Sequence, residues 1–515
     1  MALAVLAIAI LSAFFITVIR LRSNSQHAMP PGPKGLPFIG NILQIPPFPF
    51  LQFTEWKAKF GPILSLNLAG QPAIVISSLK VANDLLERRS GIYSDRPRFI
   101  VAGEVLTGGL FLPLLSYGDY WRKHRRAAHE GLRSQVVPTY QAAQELEAVT
   151  LAQNLIKSPE LWYEEIQRST ASSVKTTIYG TPPISSKNDP TVAFIDEMGH
   201  RITFASQPGK YLVEFFPKLL LLPAWLAPWK REAIKWYRND THELENLVQP
   251  IKGQVENGTH KPSFAAYMCL AGDRHHLTHG EEAWLPGTMF MAGFDTSSAA
   301  FRFFILAMVL HPEVMKKAQS ELDRVVGRER VPDFSDRDKL PYIRAMIKEL
   351  LRWSPVAPLG VARRVQQDDY YEGYFIPKGT LVLWNAWAIN NDPEMFPSPH
   401  EFRPERFLDP TETEEIVVPG TRNHGHASFG FGRRHCIGAN LAVQFQFINI
   451  AILLWAANIE AAYDKNGQII TPSNSPEGWV DEGNVLRPTS FPCNIIPRFT
   501  GAETVLQRAR DEKST

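Results

Sequence analysis

Residues 429–438 read Phe-Gly-Phe-Gly-Arg-Arg-His-Cys-Ile-Gly, and the rest of the chain is organised around them. Three glycines and one cysteine fall within these ten positions. Glycine lacks a Cβ and tolerates positive φ, so it gathers where backbone turns tightly or lies close to a large flat object. Cys436 therefore stands where a bound group can approach it. After it, Leu441, Phe445, Ile448, Ile452 and Trp455 recur at steps of three and four, which predicts a helix with one apolar face. A cysteine just ahead of a helix N-terminus meets partial positive charge and free N–H groups, and both favour the thiolate. The competing reading is a buried, inert cysteine in a glycine-rich turn, the usual state of a lone free cysteine.

The stretch resembles the haem-binding loop of the cytochrome P-450 superfamily, Phe-x-x-Gly-x-x-x-Cys-x-Gly. Phe429, Gly432, Cys436 and Gly438 match it, while Ile437 stands where many members carry proline. The resemblance implies a mainly α fold with small β-sheets, the haem-thiolate fold of that family, with haem b as cofactor. It makes Cys436 the axial ligand of the iron, where a thiolate donates electron density that favours O–O cleavage. Phe429 and Gly438 become cofactor-binding positions, and Arg434 becomes a partner for a haem propionate.

Other segments supply further matches. Trp121 and Arg125 lie four apart in Asp-Tyr-Trp-Arg-Lys-His-Arg-Arg and share a face if that stretch is helical. By themselves they describe an exposed basic helix; the resemblance makes them the Trp-x-x-x-Arg pair that hydrogen-bonds a propionate. From residue 286 to 310 runs a long apolar segment, ended by His311-Pro312, that predicts a buried central helix. Asp295 and Thr296 interrupt it. An acid beside a hydroxyl is costly inside an apolar helix unless both are satisfied or used. Thr296 can bond back to the carbonyl four residues earlier while Asp295 takes a basic partner. The resemblance gives them work instead, because Ala292-Gly293-Phe294-Asp295-Thr296 matches the signature over the distal haem face, where Thr296 and Asp295 deliver protons to bound oxygen.

Residues 312–327 read as a helix opened by proline and closed by glycine, and 342–353 as another, on which Glu349 and Arg352 face the same side. The resemblance identifies these two as its Glu-x-x-Arg and joins them to Arg406 in a structural triad that holds the haem loop in register. Of the neighbouring Arg363 and Arg364, alignment through Tyr371-Glu372-Gly373-Tyr374 favours Arg364 as a further propionate partner, with Arg363 as the fallback. Residues 63–68 and 73–77 read as two strands with a turn, and 374–376 with 380–383 as a strand pair about a Pro-Lys-Gly turn.

Composition bounds the remainder. At 21% charged and 44% apolar residues the chain is globular, and a net charge of +2 gives no reason to expect nucleic acid. Three scattered cysteines are too few for a disulfide framework and suit a reducing compartment. Residues 1–19 are almost wholly apolar and are followed by Arg20 and Arg22, which predicts an uncleaved transmembrane anchor with the following chain on the cytoplasmic side. Residues 20–45 form a basic, proline-rich hinge, and 46–515 read as one catalytic domain. By resemblance the membrane is that of the endoplasmic reticulum. Residues 212–229, rich in Leu, Pro and Trp, suit either the core or a membrane surface equally.

The expected chemistry is insertion of one oxygen atom of O2 into a lipophilic small molecule. Electrons come from NADPH through a separate cytochrome P450 reductase, with cytochrome b5 as an optional second donor, because no Gly-x-Gly-x-x-Gly fingerprint follows a strand in this chain. Similarity to fungal microsomal members points to a terpenoid of secondary metabolism; a polyketide, fatty acid or aromatic xenobiotic is the runner-up. A reductase-independent haem-thiolate isomerase or dehydratase is the enzyme alternative, opposed by the Asp295-Thr296 pair, and a haem sensor or ligand carrier is the non-enzyme alternative.

Overall fold

Thr278 begins the helix on which the architecture is built. Its hydroxyl accepts from the Glu281 N–H while the Glu281 carboxylate accepts from the Thr278 N–H, a capping box that starts the helix at His279 rather than near Pro286. Pro286 is accommodated inside. The computed structural model describes residues 28–184, 186, 188–481, 483 and 485–514; the predicted anchor, 1–19, and the start of the hinge, 20–27, lie outside the described residues.

The long helices are α1 (Pro49–Phe60), α2 (Asp119–Leu132), α3 (Gln141–Lys157), α4 (Trp162–Tyr179), α5 (Pro190–Ser206), α6 (Pro228–Glu256), α7 (His279–Leu310), α8 (Pro312–Val325), α9 (Pro341–Trp353), α10 (Ala439–Ala456) and α11 (Ala502–Ser514). α7 threads two apolar cores. Its first half, from Ala283 to Phe294, packs with α2, α5 and α6, and its second half, from Ala300 to Met308, packs with α3, α9 and α10. Between the two cores the helix opens: Ala292 is exposed and Gly293, Asp295 and Thr296 are half-buried. α10 differs from its expected single apolar face, because every residue from Gln444 to Ala456 is buried. α7 and α10 are long and apolar enough to cross a membrane, yet most of each is covered by protein, so both are core helices.

The strands are small. β1 (Ile63–Leu68) and β2 (Gln71–Ile76) form a hairpin closed by Ala69-Gly70, both at positive φ as a two-residue turn requires. β2 pairs in parallel with β6 (Leu381–Trp384), and β6 in turn with β3 (Arg363–Arg364), giving the order β1-β2-β6-β3. β4 (Asp369–Tyr371) pairs with β5 (Tyr374–Ile376), so the Pro-Lys-Gly turn joins two different sheets instead of closing the expected strand pair. β7 (Ala457–Ala461) pairs with β10 (Cys493–Pro497), and β8 (Trp479–Asp481) with β9 (Leu486–Pro488). Within 212–229 the outcome is a surface: Leu212, Phe215, Phe216, Leu221, Trp225 and Leu226 are exposed, while Val213 and Ala227 anchor the segment.

Candidate active site

The loop before α10 is fixed by its backbone. Cys436 N–H donates to the Phe429 carbonyl at 2.8 Å, and Gly432 N–H donates to Glu87 Oε2 at 2.6 Å. Gly432 has φ +59, and a Cβ there would lie 2.0 Å from the Leu86 carbonyl oxygen, so only glycine fits. Gly438 is different. Its φ of −87 suits any residue and an added Cβ would meet nothing within 4 Å, so the loop keeps a flat, open face two residues past the cysteine. The side chain of Ile437, at the usual proline position, packs into the α2–α7 core.

Cys436 is exposed, yet burial pushes its thiol above the ordinary value, against the pull of the Gly438 N–H and Arg125. The helix N-terminus does not by itself produce a thiolate here, because desolvation of the charge outweighs it. A coordinated metal ion would reverse that, since a ligating thiol is deprotonated. Cys493 is buried with its thiol pushed to about 12, and Cys269 is half-buried on a short helix.

Four arginines converge on this loop. Arg434 donates to the Ser94 and Leu115 carbonyls at 2.8 and 2.6 Å and lies 4.4 Å above the Trp121 ring. Arg125 donates to the His435 carbonyl at 2.6 Å. Arg96 donates to the Pro113, Val361 and Ala362 carbonyls. Arg363 is 1% exposed and, among the described residues, donates one bond, to the Phe431 carbonyl at 2.8 Å, and its Nε and Nη1 are buried without partners there. Burial lowers all four guanidinium groups, Arg434 to about 9 and Arg363 to about 10, and several lower one another. The nearby carboxylate, Asp95, is bound by Arg364 at 2.7 and 3.0 Å.

Arg364 thus occupies the outer face, with its side chain 38% exposed, and the sequence preference for it over Arg363 is not what the geometry favours. Successive strand residues point to opposite sides, so in the register Arg363↔Val382 and Arg364↔Leu381 only one of the two can face the loop. That one is Arg363.

Glu349, Arg352 and Arg406 are brought together in the structure. Arg352 donates to Glu349 at 2.6 and 2.9 Å and Arg406 donates to it at 3.0 Å, all nearly inaccessible. Arg352 also donates to the Asn390 carbonyl at 2.8 Å. Asn390, which no motif signalled, then accepts from Ala427 N–H at 2.8 Å and donates to Ser428 Oγ at 2.9 Å. The triad is tied through Asn390 to the two residues that precede Phe429.

On α7 the ordinary reading of the polar pair holds in full. Thr296 Oγ1 donates to the Ala292 carbonyl at 2.6 Å, and Asp295 finds a basic partner in Arg487 of β9, 3.1 Å away. Neither contact removes them from the accessible stretch of the helix. A cavity of about 290 Å³ elsewhere near the loop, lined by Arg344, Lys348, His424 and Gln444 among others, includes neither Cys436 nor any α7 residue.

The match to known proteins covers this whole arrangement. The family model described as Cytochrome P450 matches residues 30–472. The chain belongs to the cytochrome P450 family. It is 50% identical over 487 residues to cytochrome P450 monooxygenase 58 of Postia placenta, covering 95% of this chain and 92% of that one. A cytochrome P450 monooxygenase of Armillaria gallica is 44% identical, with 98% and 97% covered, and the iboC cytochrome P450 monooxygenase of Amanita muscaria is 35% identical, also with 98% and 97% covered. The chain is accordingly a cytochrome P450 monooxygenase, and the family implies a haem-iron cofactor with a thiolate ligand. The residues present fit such a group. The two donors of Arg363 without partners among the described residues, set among three further buried arginines, match a buried dianion, and the open face at Gly438 matches a flat ring.

Proposed function

We propose that this P450 oxidises a lipophilic small molecule, most simply a terpenoid of fungal secondary metabolism, with haem b held by Cys436 and its propionates by Arg96, Arg125, Arg363 and Arg434. Trp121 packs beneath Arg434, and Phe429 and Gly438 belong to the loop that would hold the ring. The observation that carries the reading is the buried cluster of four arginines whose hydrogen bonds, among the described residues, go to backbone carbonyls and to no carboxylate. When bound, the haem supplies reductive activation of O2 and transfer of one oxygen atom to substrate. The chain supplies position and protons. Thr296 Oγ1 holds a hydrogen-bond site at the open stretch of α7, Asp295 exchanges protons with solvent, and Phe294 is buried in the first apolar core. Glu349, Arg352 and Arg406 keep the loop in place.

The distal walls support an apolar substrate because their charges are already paired. Arg98 binds Glu104 at 2.5 and 2.9 Å, and Arg487 binds Asp295. Glu214 accepts from the N–H groups of Ile100 and Val101, tying the exposed segment 212–226 to that wall. The rest of 99–115, 356–361 and 486–491 is mainly Phe, Leu, Val and Ile. The exposed apolar side chains of 212–226 support contact with a membrane surface, as does the apolar sequence of 1–19, in keeping with a single-pass protein of the endoplasmic reticulum whose residues 46–515 form the catalytic domain on the cytoplasmic side. α2 turns Arg125 inward and Arg122 and Arg126 outward, a basic face suited to an acidic electron donor such as NADPH–cytochrome P450 reductase or cytochrome b5.

Spectral titration tests the substrate class, because an apolar ligand that displaces iron-bound water shifts the Soret band. Farnesol is expected to give a larger low-spin to high-spin shift than lauric acid or naphthalene. A shift with glucose or a hydrophilic amine and none with farnesol would overturn it.

A further inference from the structure

The cavity of about 290 Å³ beside the loop is walled by two helix faces. Arg344, Ile347, Lys348 and Leu351 follow at steps of three and four along α9, and Asn440, Val443 and Gln444 do so at the start of α10, so each set lies on one side of its helix. Val137 and Pro138, just ahead of α3, and the short turn Phe334–Lys339, which carries Arg337, close two further sides. Charge in this space is not balanced. Glu415 Oε1 lies 3.3 Å from Arg344 Nε and its Oε2 3.1 Å from Lys348 Nζ, so one carboxylate serves two cations. The half-buried Arg337 guanidinium has no hydrogen bond or ion pair among the described residues, and burial, then Arg344, lower it. Asp338 stands outside, fully exposed and 4.0 Å from Arg344. Three cations to one enclosed carboxylate leave a surplus of two. Two buried side chains add unused donors. His426, 4% exposed, accepts from the Ser428 N–H through Nδ1 at 3.1 Å, which places its ring hydrogen on Nε2, and Nε2 has no partner among the described residues. Gln444, also 4% exposed, has its Oε1 enclosed without a partner and makes no side-chain hydrogen bond among the described residues, so its amide nitrogen is the end that meets the cavity. Buried polar groups are almost always met by protein, water or ligand.

We propose that this cavity is a binding site for a phosphate monoester carried on a compact apolar body, separate from the site at Cys436. A phosphate monoester is close to a dianion at neutral pH and so meets the surplus of two, which a monocarboxylate leaves half unmet. The planar fork of Arg337 presents two N–H groups side by side to phosphate oxygens, and His426 Nε2 and the Gln444 amide supply further donors. Val137, Pro138, Ile347 and Val443 give the organic part an apolar wall. The volume is at the small end for ligand pockets, which selects a body of about one ring. A lipid headgroup carries the same phosphate chemistry, but none of the exposed apolar residues of 212–226 lines the cavity, and this favours a free molecule. The site also touches the loop. His424, in its wall, stacks on His435 at 5.3 Å, and His435 is the neighbour of Cys436, so an occupant braces the loop against α9 and α10.

Calorimetric titration of the holoenzyme with phenyl phosphate, inorganic phosphate and benzoate tests this, in wild type, Arg337→Gln and Val443→Trp. Phenyl phosphate should bind wild type at one site, more tightly than the other two, and raise the thermal midpoint as its concentration rises. Arg337→Gln, which breaks no contact within the protein, should keep the unliganded midpoint and weaken phenyl phosphate at least about tenfold. Val443→Trp, which fills the apolar side and leaves the charges alone, should weaken phenyl phosphate more than inorganic phosphate. Vesicles of phosphatidylcholine with phosphatidic acid should not compete. No binding to wild type, equal binding to Arg337→Gln, or benzoate binding as tightly as phenyl phosphate would overturn the proposal. Competition by the vesicles would overturn the assignment to a free molecule. An Arg337→Gln enzyme that binds phenyl phosphate normally but takes electrons poorly from reductase would make this a protein contact instead, and that too would overturn it.

Discussion

Two clusters of buried arginine lie on either side of Phe429, and they differ in how their charge is met. In one, Arg352 and Arg406 share Glu349, and the remaining donors reach the Asn390, Pro399 and Pro397 carbonyls. In the other, burial lowers Arg96, Arg125, Arg363 and Arg434, neighbouring arginines lower Arg96 and Arg434 further, and two donors of Arg363 have no partner among the described residues. A satisfied buried cluster is part of the fold. An unsatisfied one is the imprint of a ligand, because an unpaired buried charge costs several kcal/mol that something outside the protein must offset.

The sharpest way to break this contrast is to unpair the satisfied cluster. Glu349→Ala leaves two buried guanidinium groups without their carboxylate and is expected to cost about 3–5 kcal/mol. It should abolish folded holoprotein, read as loss of soluble protein and of the reduced carbon-monoxide spectrum together. Asn390→Ala should cost about 1–3 kcal/mol, since it strands Ala427 N–H and Ser428 Oγ in the interior. Its thermal midpoint should fall by less than that of Glu349→Ala, and the holoenzyme should still form.

The unsatisfied cluster should answer in the opposite way. Arg363→Met is expected to speed haem loss to apomyoglobin by about tenfold, the worth of one charge-assisted hydrogen bond, while leaving the haem-free chain as stable as wild type or more so. Arg364→Met, which loses a half-exposed bridge to Asp95, should change haem loss little. If Arg364→Met released haem faster than Arg363→Met, the inward assignment would be reversed.

The smallest effect expected is a pH dependence. Arg434 is held at about 9 in the folded chain, well below its ordinary value, so from about 9 up to that ordinary value the unfolded chain binds more protons and folding becomes more favourable as pH rises. Relative to Arg434→Met, haem-free wild type should gain stability as pH passes upward through about 9. With haem bound the propionates keep Arg434 charged, and the gain should vanish.

Much of this contrast was legible in the sequence. The loop, the central helix, the paired Glu349 and Arg352 and the partner Arg406 all carry local spacing that survives folding. The missing parts depend on offsets that spacing does not encode. Arg363 and Arg364 differ by one position, which in a strand exchanges the inner for the outer face. Asn390 belongs to no pattern, and Arg487 reaches Asp295 only because β9 packs against α7. The turn after Ile376 was recognisable, but which strand β5 would pair with was decided by β4. At Cys436 the helix position is local and legible, whereas the desolvation that raises the thiol in the absence of a metal ion is not.

The central claim is that Cys436, facing the unsatisfied arginines, is the thiolate that holds the iron. The reduced carbon-monoxide difference spectrum of Cys436→Ser, beside Cys269→Ser and Cys493→Ser, tests it most directly. The red-shifted Soret band of a thiolate-bound complex should be lost in Cys436→Ser and kept in the other two. Its persistence in Cys436→Ser, or its loss in Cys269→Ser or Cys493→Ser with the protein still folded, would contradict the account.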